Sequence, residues 1–178
     1  KKTVKITKSK KRKILASYSL VKTMRAGILV LGPMIAKQNK SITSLPGGCL
    51  IGARPVNYHL NALKKLGMKY TIKKGYIHAI SKGKLKGANI KFSNISVGAT
   101  ENSIIAACLA VGTTYISNAA IEPEIKDLTN FLNSAGAKIK WIGKRTVKII
   151  GVENLNETKY SVMWDRIDFV TFCVAATL

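Results

Sequence analysis

Residues 66–80 read LGMKYTIKKGYIHAI and residues 135–149 read AGAKIKWIGKRTVKI, matching in apolar pattern at an offset of 69 to 70 residues. A near repeat of this kind constrains the fold more than any other feature, because a supersecondary unit that cannot cover its own apolar face gains a core by stacking on a copy. Each stretch follows a helical pattern with the same punctuation. The first predicted helix opens at Pro55 and closes at Gly67, with Leu60, Leu63 and Leu66 on one face. The second opens at Pro123 and closes at Gly136, with Ile125, Leu128, Leu132 and Ala135 on one face. Pro at the first helical position and Gly just past the end are the expected boundary signals. Alternation then predicts paired strands over 69–72 with 76–80, and over 138–142 with 147–150.

Each unit also begins alike. Small-residue apolar helices are predicted over 24–36 and 103–111, leading into short strands at 42–45 and 114–117. The predicted unit is therefore helix, strand, helix, strand, strand. A third copy starts at 174–178, which resembles 106–110 at an offset of 68. The fold class is α/β, and Gly27, Gly32 and Gly98 at the helix openings allow close packing around a shared centre. The chain starts in mid-pattern without a Met and ends at Leu178 inside a helical pattern, so an internal fragment is expected.

Charge separates the two halves. The net charge is +22, yet the first 100 residues contain no Asp or Glu, and the remainder holds all eight acids. Residues 1–13 carry eight basic side chains with weak alternation at Val4 and Ile6, readable as a strand with a basic extension or as an electrostatic arm. Lys/Arg excess is the footprint of phosphate binding. However, Lys outnumbers Arg by 25 to 5 and aromatics are 7%, which disfavours base reading and stacking on nucleic acid. The longest apolar run, 26–36, is about half a membrane span and is broken by Gly32 and Pro33. The default is a soluble, cytoplasmic protein with no membrane partner. Cys49, Cys108 and Cys173 are odd in number and far apart, against a disulfide framework or a zinc site.

The chemistry concentrates in 44–59, SLPGGCLIGARPVNYH. Cys49 follows a Pro-Gly-Gly turn in the basic half and precedes a helix start, a setting that lowers a thiol pKa. Arg54 stands at that helix N-terminus, where the dipole already favours an anion and a guanidinium adds a bidentate clamp. The residues alone leave two readings open: a reactive thiol beside an anion site, or a structural loop with an incidental Cys.

The loop PGGCLIGARPV closely resembles the signature of the UDP-N-acetylglucosamine 1-carboxyvinyltransferase family. The segments LVKTMRA at 20–26, LGP at 31–33, LKGA at 85–88, SVGAT at 96–100, EPEI at 122–125, NFL at 130–132 and DRI at 165–167 follow in family order. The resemblance covers about 14–178. It implies the inside-out α/β barrel of repeated units found in enolpyruvyl transferases, with 1–163 forming most of the catalytic-loop domain and 164–178 beginning the return to a second domain. It implies transfer of the enolpyruvyl group of phosphoenolpyruvate to the 3′-hydroxyl of UDP-N-acetylglucosamine, the first committed step of peptidoglycan synthesis, without a cofactor or metal. Cys49 would be the general acid and covalent adduct site, and the target of fosfomycin-type epoxides. Gly47 and Gly48 would lend the loop mobility. Arg54 would face the phosphoenolpyruvate phosphate. Arg25, Pro55, Val56, Asn57 and Tyr58 would contact substrate, and Asn94, Ile95, Ser96, Val97 and Gly98 would hold the uridine diphosphate. Asp165 is a further candidate near the domain junction. The complete protein is expected to be monomeric.

The resemblance also implies that a Lys-Asn pair before residue 1 and an aspartate and arginines after residue 178 complete the site, so no turnover is expected from this chain alone. Asn57 and Tyr58 stand where the family has Asp-Leu, Ile121 replaces a common Arg, Trp164 a common Pro, and Phe169-Val170 a Thr-Gly pair. His59 is open to packing and to substrate contact. His78 is expected to be structural, Cys108 and Cys173 packed thiols, and Glu122 and Glu124 acids that complement a helix dipole. The runner-up enzyme is the related shikimate-phosphate enolpyruvyl transferase, which lacks the Gly-Gly-Cys loop. The alternative from another class is a catalytically silent basic remnant that binds nucleic acid.

Overall fold

A computed structural model describes residues 3–7, 13–47 and 56–177. The near repeat appears as two four-stranded sheets of identical topology. Strands β1 (Leu15–Ala16), β2 (Lys40–Ser44), β3 (Met68–Lys73) and β4 (Tyr76–Ser81) lie in the order β1-β2-β4-β3. Strands β5 (Asn89–Lys91), β6 (Thr113–Ser117), β7 (Lys138–Gly143) and β8 (Thr146–Ile150) repeat it as β5-β6-β8-β7. In each sheet the first pair is parallel and the other two are antiparallel. The unit therefore gains a leading strand that the sequence pattern lacked. At two and three residues, β1 and β5 are too short for alternation to register.

The sheets are one-sided. Ser41 and Thr43 of β2, Ile77 and Ala79 of β4, and Val147 and Ile149 of β8 are buried, alternating with less buried neighbours, except that Ser44 at the end of β2 is buried too. The remaining regular elements are helices. They are α1 (Tyr18–Val21), a 3-10 helix (Arg25–Val30) that runs into α2 (Leu31–Gln38), α3 (Asn57–Lys65), α4 (Val97–Ala107), α5 (Pro123–Ser134) and α6 (Arg166–Ala176). Helix α4 is the hub, touching α2, α3, α5 and β8. Ala99, Thr100, Asn102, Ser103, Ile104, Ala106 and Ala107 are all buried, so α4 has no solvent face along most of its length. Its polar residues are bonded: Thr100 Oγ1 donates to Ser96 O at 2.8 Å and accepts from Ala120 N at 3.1 Å, and Ser103 Oγ donates to Ala99 O at 2.6 Å. A single core cluster then spans both repeats, from Leu31, Ile35 and Leu63 to Ile116, Ile125 and Val147. Each such side chain contributes roughly 1.5–3 kcal/mol by leaving water.

Boundaries follow the local chemistry. Pro123 sits in the first turn of α5, and Gly67 and Gly136 follow α3 and α5 in the left-handed region at φ 103° and 96°. The predicted helix over 24–36 is a 3-10 turn followed by an α-helix. The one predicted over 103–111 begins earlier, at Val97, because Ser96 caps it: its Oγ accepts from Ala99 N at 3.4 Å. Residues 3–7 are exposed without regular structure, and the first strand among the described residues is β1 at Leu15–Ala16.

After β8 the chain runs extended along α5. Asn156 N donates to Ala135 O at 2.7 Å, and Tyr160 Oη donates to Asp127 Oδ1 at 2.8 Å. It then enters α6, none of whose residues is buried. This corrects the expectation of two packed cysteines. Cys108 is buried, but Cys173 is exposed, because α6 lies on the surface with Ile167, Phe169, Val170, Phe172 and Val174 uncovered. Among the described residues, no helix is long and apolar enough to cross a membrane.

Candidate functional site

A cleft of about 490 Å³ opens where the two repeats meet, a size that suits a small-molecule ligand. The 3-10 helix supplies Arg25, Ala26, Ile28 and Leu29, α3 supplies Tyr58 and His59, and the start of α4 supplies Ile95 to Gly98 with Glu101. Six of the expected substrate residues thus line one cleft: Arg25, Tyr58, Ile95, Ser96, Val97 and Gly98.

The rest fall in two groups. Asn94 adjoins the cleft by donating from Nδ2 to Tyr58 Oη at 2.7 Å. That bond and one from Ser93 hold the exposed Tyr58 phenol below its ordinary pKa. Val56 caps α3 and packs against the core, and Asn57 opens α3 with its side chain exposed. Asp165 does not line the cleft. It is the N-cap of α6, its Oδ1 accepting from Ile167 N at 2.8 Å and Asp168 N at 3.2 Å. Cys49, Arg54, Pro55 and Gly48 lie outside the described residues. At Gly47 the backbone comes close to its neighbour: a β-carbon there would stand 2.6 Å from the carbonyl oxygen of Lys22. The root of the loop is thereby packed on the backbone at the end of α1.

The cleft wall carries anion-binding groups. The first intrahelical bond of α4 runs from Thr100 N to Ser96 O at 3.0 Å, and Ser96 Oγ takes Ala99 N. The N–H groups of Val97 and Gly98 therefore stand outside the helix ladder at the positive end of its dipole. Arg25 adds a full positive charge on the facing element. Its proximity is felt by His59, whose pKa is lowered to about 4 by burial first and by the Arg25 charge second. Glu101 is shifted the other way, raised by burial and then by repulsion from Glu124. Glu124 itself is bound to Arg166 by two bonds of 3.2 and 3.0 Å, which hold it below the usual carboxylate range. The acid expected only to complement the α5 dipole thus also ties α5 to α6.

Sequence reasoning did not assign Glu101 or Asn102 to the site, and it left His59 undecided. Glu101 is the first acid in the chain, and that isolation was its one available signal. Among the described residues no cluster of three or more His, Cys, Asp or Glu is placed to hold a metal.

A protein from Pelagibacter ubique (strain HTCC1062) named UDP-N-acetylglucosamine 1-carboxyvinyltransferase is 63% identical over 178 residues, covering 100% of this chain and 43% of its own length. One of the same name from Pseudoalteromonas atlantica (strain T6c / ATCC BAA-1087) is 56% identical over 163 residues, covering 92% of this chain and 39% of that protein. The chain therefore spans about two fifths of the relatives it matches. Among solved structures, the enolpyruvyl transferase NikO from Streptomyces tendae superposes with a TM-score of 0.69 at 20% identity, over 83% of this chain and 35% of that one. An EPSP synthase from Acinetobacter baumannii gives 0.57 at 20% identity, over 74% and 29%. The duplicated α/β unit is thus the enolpyruvyl transferase fold. A profile described as EPSP synthase (3-phosphoshikimate 1-carboxyvinyltransferase) matches residues 1–178, and with the close relatives it establishes that this chain belongs to that family.

Proposed function

We propose that the chain is the cysteine-loop part of a UDP-N-acetylglucosamine 1-carboxyvinyltransferase, which moves the enolpyruvyl group of phosphoenolpyruvate onto the sugar 3′-hydroxyl. The observation that carries the reading is the cleft that Arg25, Tyr58, Ile95, Ser96, Val97 and Gly98 line together, with two amides at the start of α4 outside the helix ladder. Amides at a helix N-terminus and an arginine are what a nucleotide-sugar diphosphate requires. The names of the relatives at 63% and 56% identity support the same substrate, and the PGGC sequence favours it over shikimate phosphate.

In this reading the Cys49 thiol gives its proton to C3 of phosphoenolpyruvate, which makes C2 electrophilic. The sugar oxygen bonds to C2 and passes its proton to the aspartate that the resemblance places after residue 178. The Cys49 thiolate then takes a proton back from C3 as inorganic phosphate leaves C2, which restores the double bond in the product. Arg54 holds the phosphate, and Cys49 also captures C2 through sulfur as a covalent adduct. Residues 1–163 belong to the domain bearing the loop, and 164–178 lead towards a second domain. The enzyme would work in the cytoplasm, supplying peptidoglycan synthesis and hence cell shape and division.

The test is formation of the enolpyruvyl sugar nucleotide by the complete gene product, followed by mass spectrometry with both substrates present. Product that depends on Cys49 supports the reading. A folded protein that makes none, yet is retained on DNA in a salt-dependent manner, would favour the basic remnant instead.

A further inference from the structure

Asn102 is fully buried, and its hydrogen bonds use every polar atom of the side chain. Its Oδ1 accepts from Gly32 N at 2.8 Å. Its Nδ2 donates to Ile28 O at 3.2 Å and lies 3.1 Å from His59 Nδ1. The two backbone partners fix the amide's orientation, since an N–H must meet oxygen and a carbonyl must meet the NH2 group. The second Nδ2 proton then goes to His59 Nδ1. That nitrogen accepts, so the neutral ring carries its own proton on Nε2.

The Nε2 edge of the ring lies at the cleft. A β-carbon on Gly98 would stand 3.1 Å from His59 Cε1 and 3.4 Å from Nε2, and both residues line the cavity. Gly98, whose amide is outside the helix ladder, is therefore next to a further N–H donor, held on a buried ring.

We propose that Asn102 is a positioning residue that locks His59 as the Nε2–H tautomer, so that this N–H binds a diphosphate oxygen of the sugar nucleotide beside the start of α4. The identity of the ligand rests on the function proposed above; the tautomer does not. The opposite tautomer would turn a lone pair towards the same oxygen and repel it. Among the described residues, the charged and titratable groups that share the cleft with His59 are Arg25 from the 3-10 helix, Tyr58 from α3 and Glu101 from α4. Burial keeps the ring neutral down to about pH 4, so the donor is unchanged through the neutral range.

Asn102→Asp separates this role from a merely structural one. An aspartate still accepts from Gly32 N but cannot donate to His59 Nδ1, so the ring shifts its proton to Nδ1 or takes a second one. Binding of UDP-N-acetylglucosamine to the complete protein, measured by calorimetry, is expected to be flat from mildly acidic to mildly alkaline pH. In Asn102→Asp it weakens by about 10-fold or more on the alkaline side and recovers on acidification, where imidazolium restores the donor. His59→Gln keeps an N–H at similar reach and retains affinity to within a few-fold, whereas His59→Phe loses about as much as alkaline Asn102→Asp. Histidine nitrogen NMR of the ligand-free protein is expected to show the Nε2–H form. The Nδ1–H form, a parallel pH profile in Asn102→Asp, or full affinity in His59→Phe would each overturn the proposal. If Asn102→Asp does not fold, the two His59 variants and the NMR spectrum decide. If the parent binds no UDP-sugar, the functional reading fails while the spectrum still decides the tautomer.

Discussion

The backbone amide of Gly32 donates to the side-chain oxygen of Asn102 at 2.8 Å, joining the first turn of α2 in one repeat to the middle of α4 in the other. The bond needs a residue without a β-carbon, because one at position 32 would also stand 2.7 Å from the Asn102 carbonyl oxygen. Both helices are fixed by the core, so neither yields easily. Gly32→Ala is expected to destabilise the fold by about 1–3 kcal/mol, read as a lower urea midpoint. An unchanged midpoint would mean that the two helices slide apart at little cost.

Acid sensitivity should trace to His59. The unfolded ring takes a proton near its ordinary 6.5, and the folded ring not until about 4. Its contribution to stability is therefore full above 6.5 and is lost as pH falls from there towards 4, by up to about 3 kcal/mol. Glu101 runs the other way. Its raised pKa gives a contribution present at low pH and lost as pH rises through the folded value. Comparing the parent with His59→Gln isolates the histidine: urea unfolding across this range should show a smaller acid-side loss in the variant. Superimposable curves would contradict the assignment.

The three cysteines should differ in reactivity. Burial pushes the Cys108 thiol up to about 12, leaving almost no thiolate at neutral pH, while Cys173 is exposed on α6. Peptide mapping after treatment with a small maleimide should find Cys173 modified and Cys108 untouched. A fosfomycin-type epoxide with UDP-N-acetylglucosamine should select Cys49. Epoxide on Cys173 in place of Cys49 would remove the assigned role of the loop.

Asp165 is expected to act through capping. Asp165→Ala should cost about 1 kcal/mol, while Asp165→Asn, also a good N-cap, should cost a few tenths. Hydrogen exchange at the first-turn amides of α6 reads this directly. Equal losses in both variants would point to a role for the charge instead.

Much of the fold was legible because it is written twice. The helix ending at Gly67 and its counterpart ending at Gly136 share their apolar spacing and left-handed stop, and the hairpins after them alternate in step. What escaped the pattern had no periodicity to offer. Strands β1 and β5 are too short, and α4 is buried nearly all round, so its start was set by the Ser96 cap rather than by an amphipathic stripe. In the site, the residues from Ile95 to Gly98, Arg25 and Tyr58 were found by resemblance and line one cleft. The link from Asn102 to His59 spans 43 positions and joins two repeats, so no local pattern could announce it. The close approach of Gly47 to Lys22 was hidden because glycine serves mobility and close approach alike.

The most direct test of the account is product formation by the complete protein with phosphoenolpyruvate and UDP-N-acetylglucosamine. Equal amounts of inorganic phosphate and enolpyruvyl sugar nucleotide are expected, with both lost in Cys49→Ala while UDP-sugar binding persists. Folded protein that binds neither substrate and releases no phosphate would contradict it.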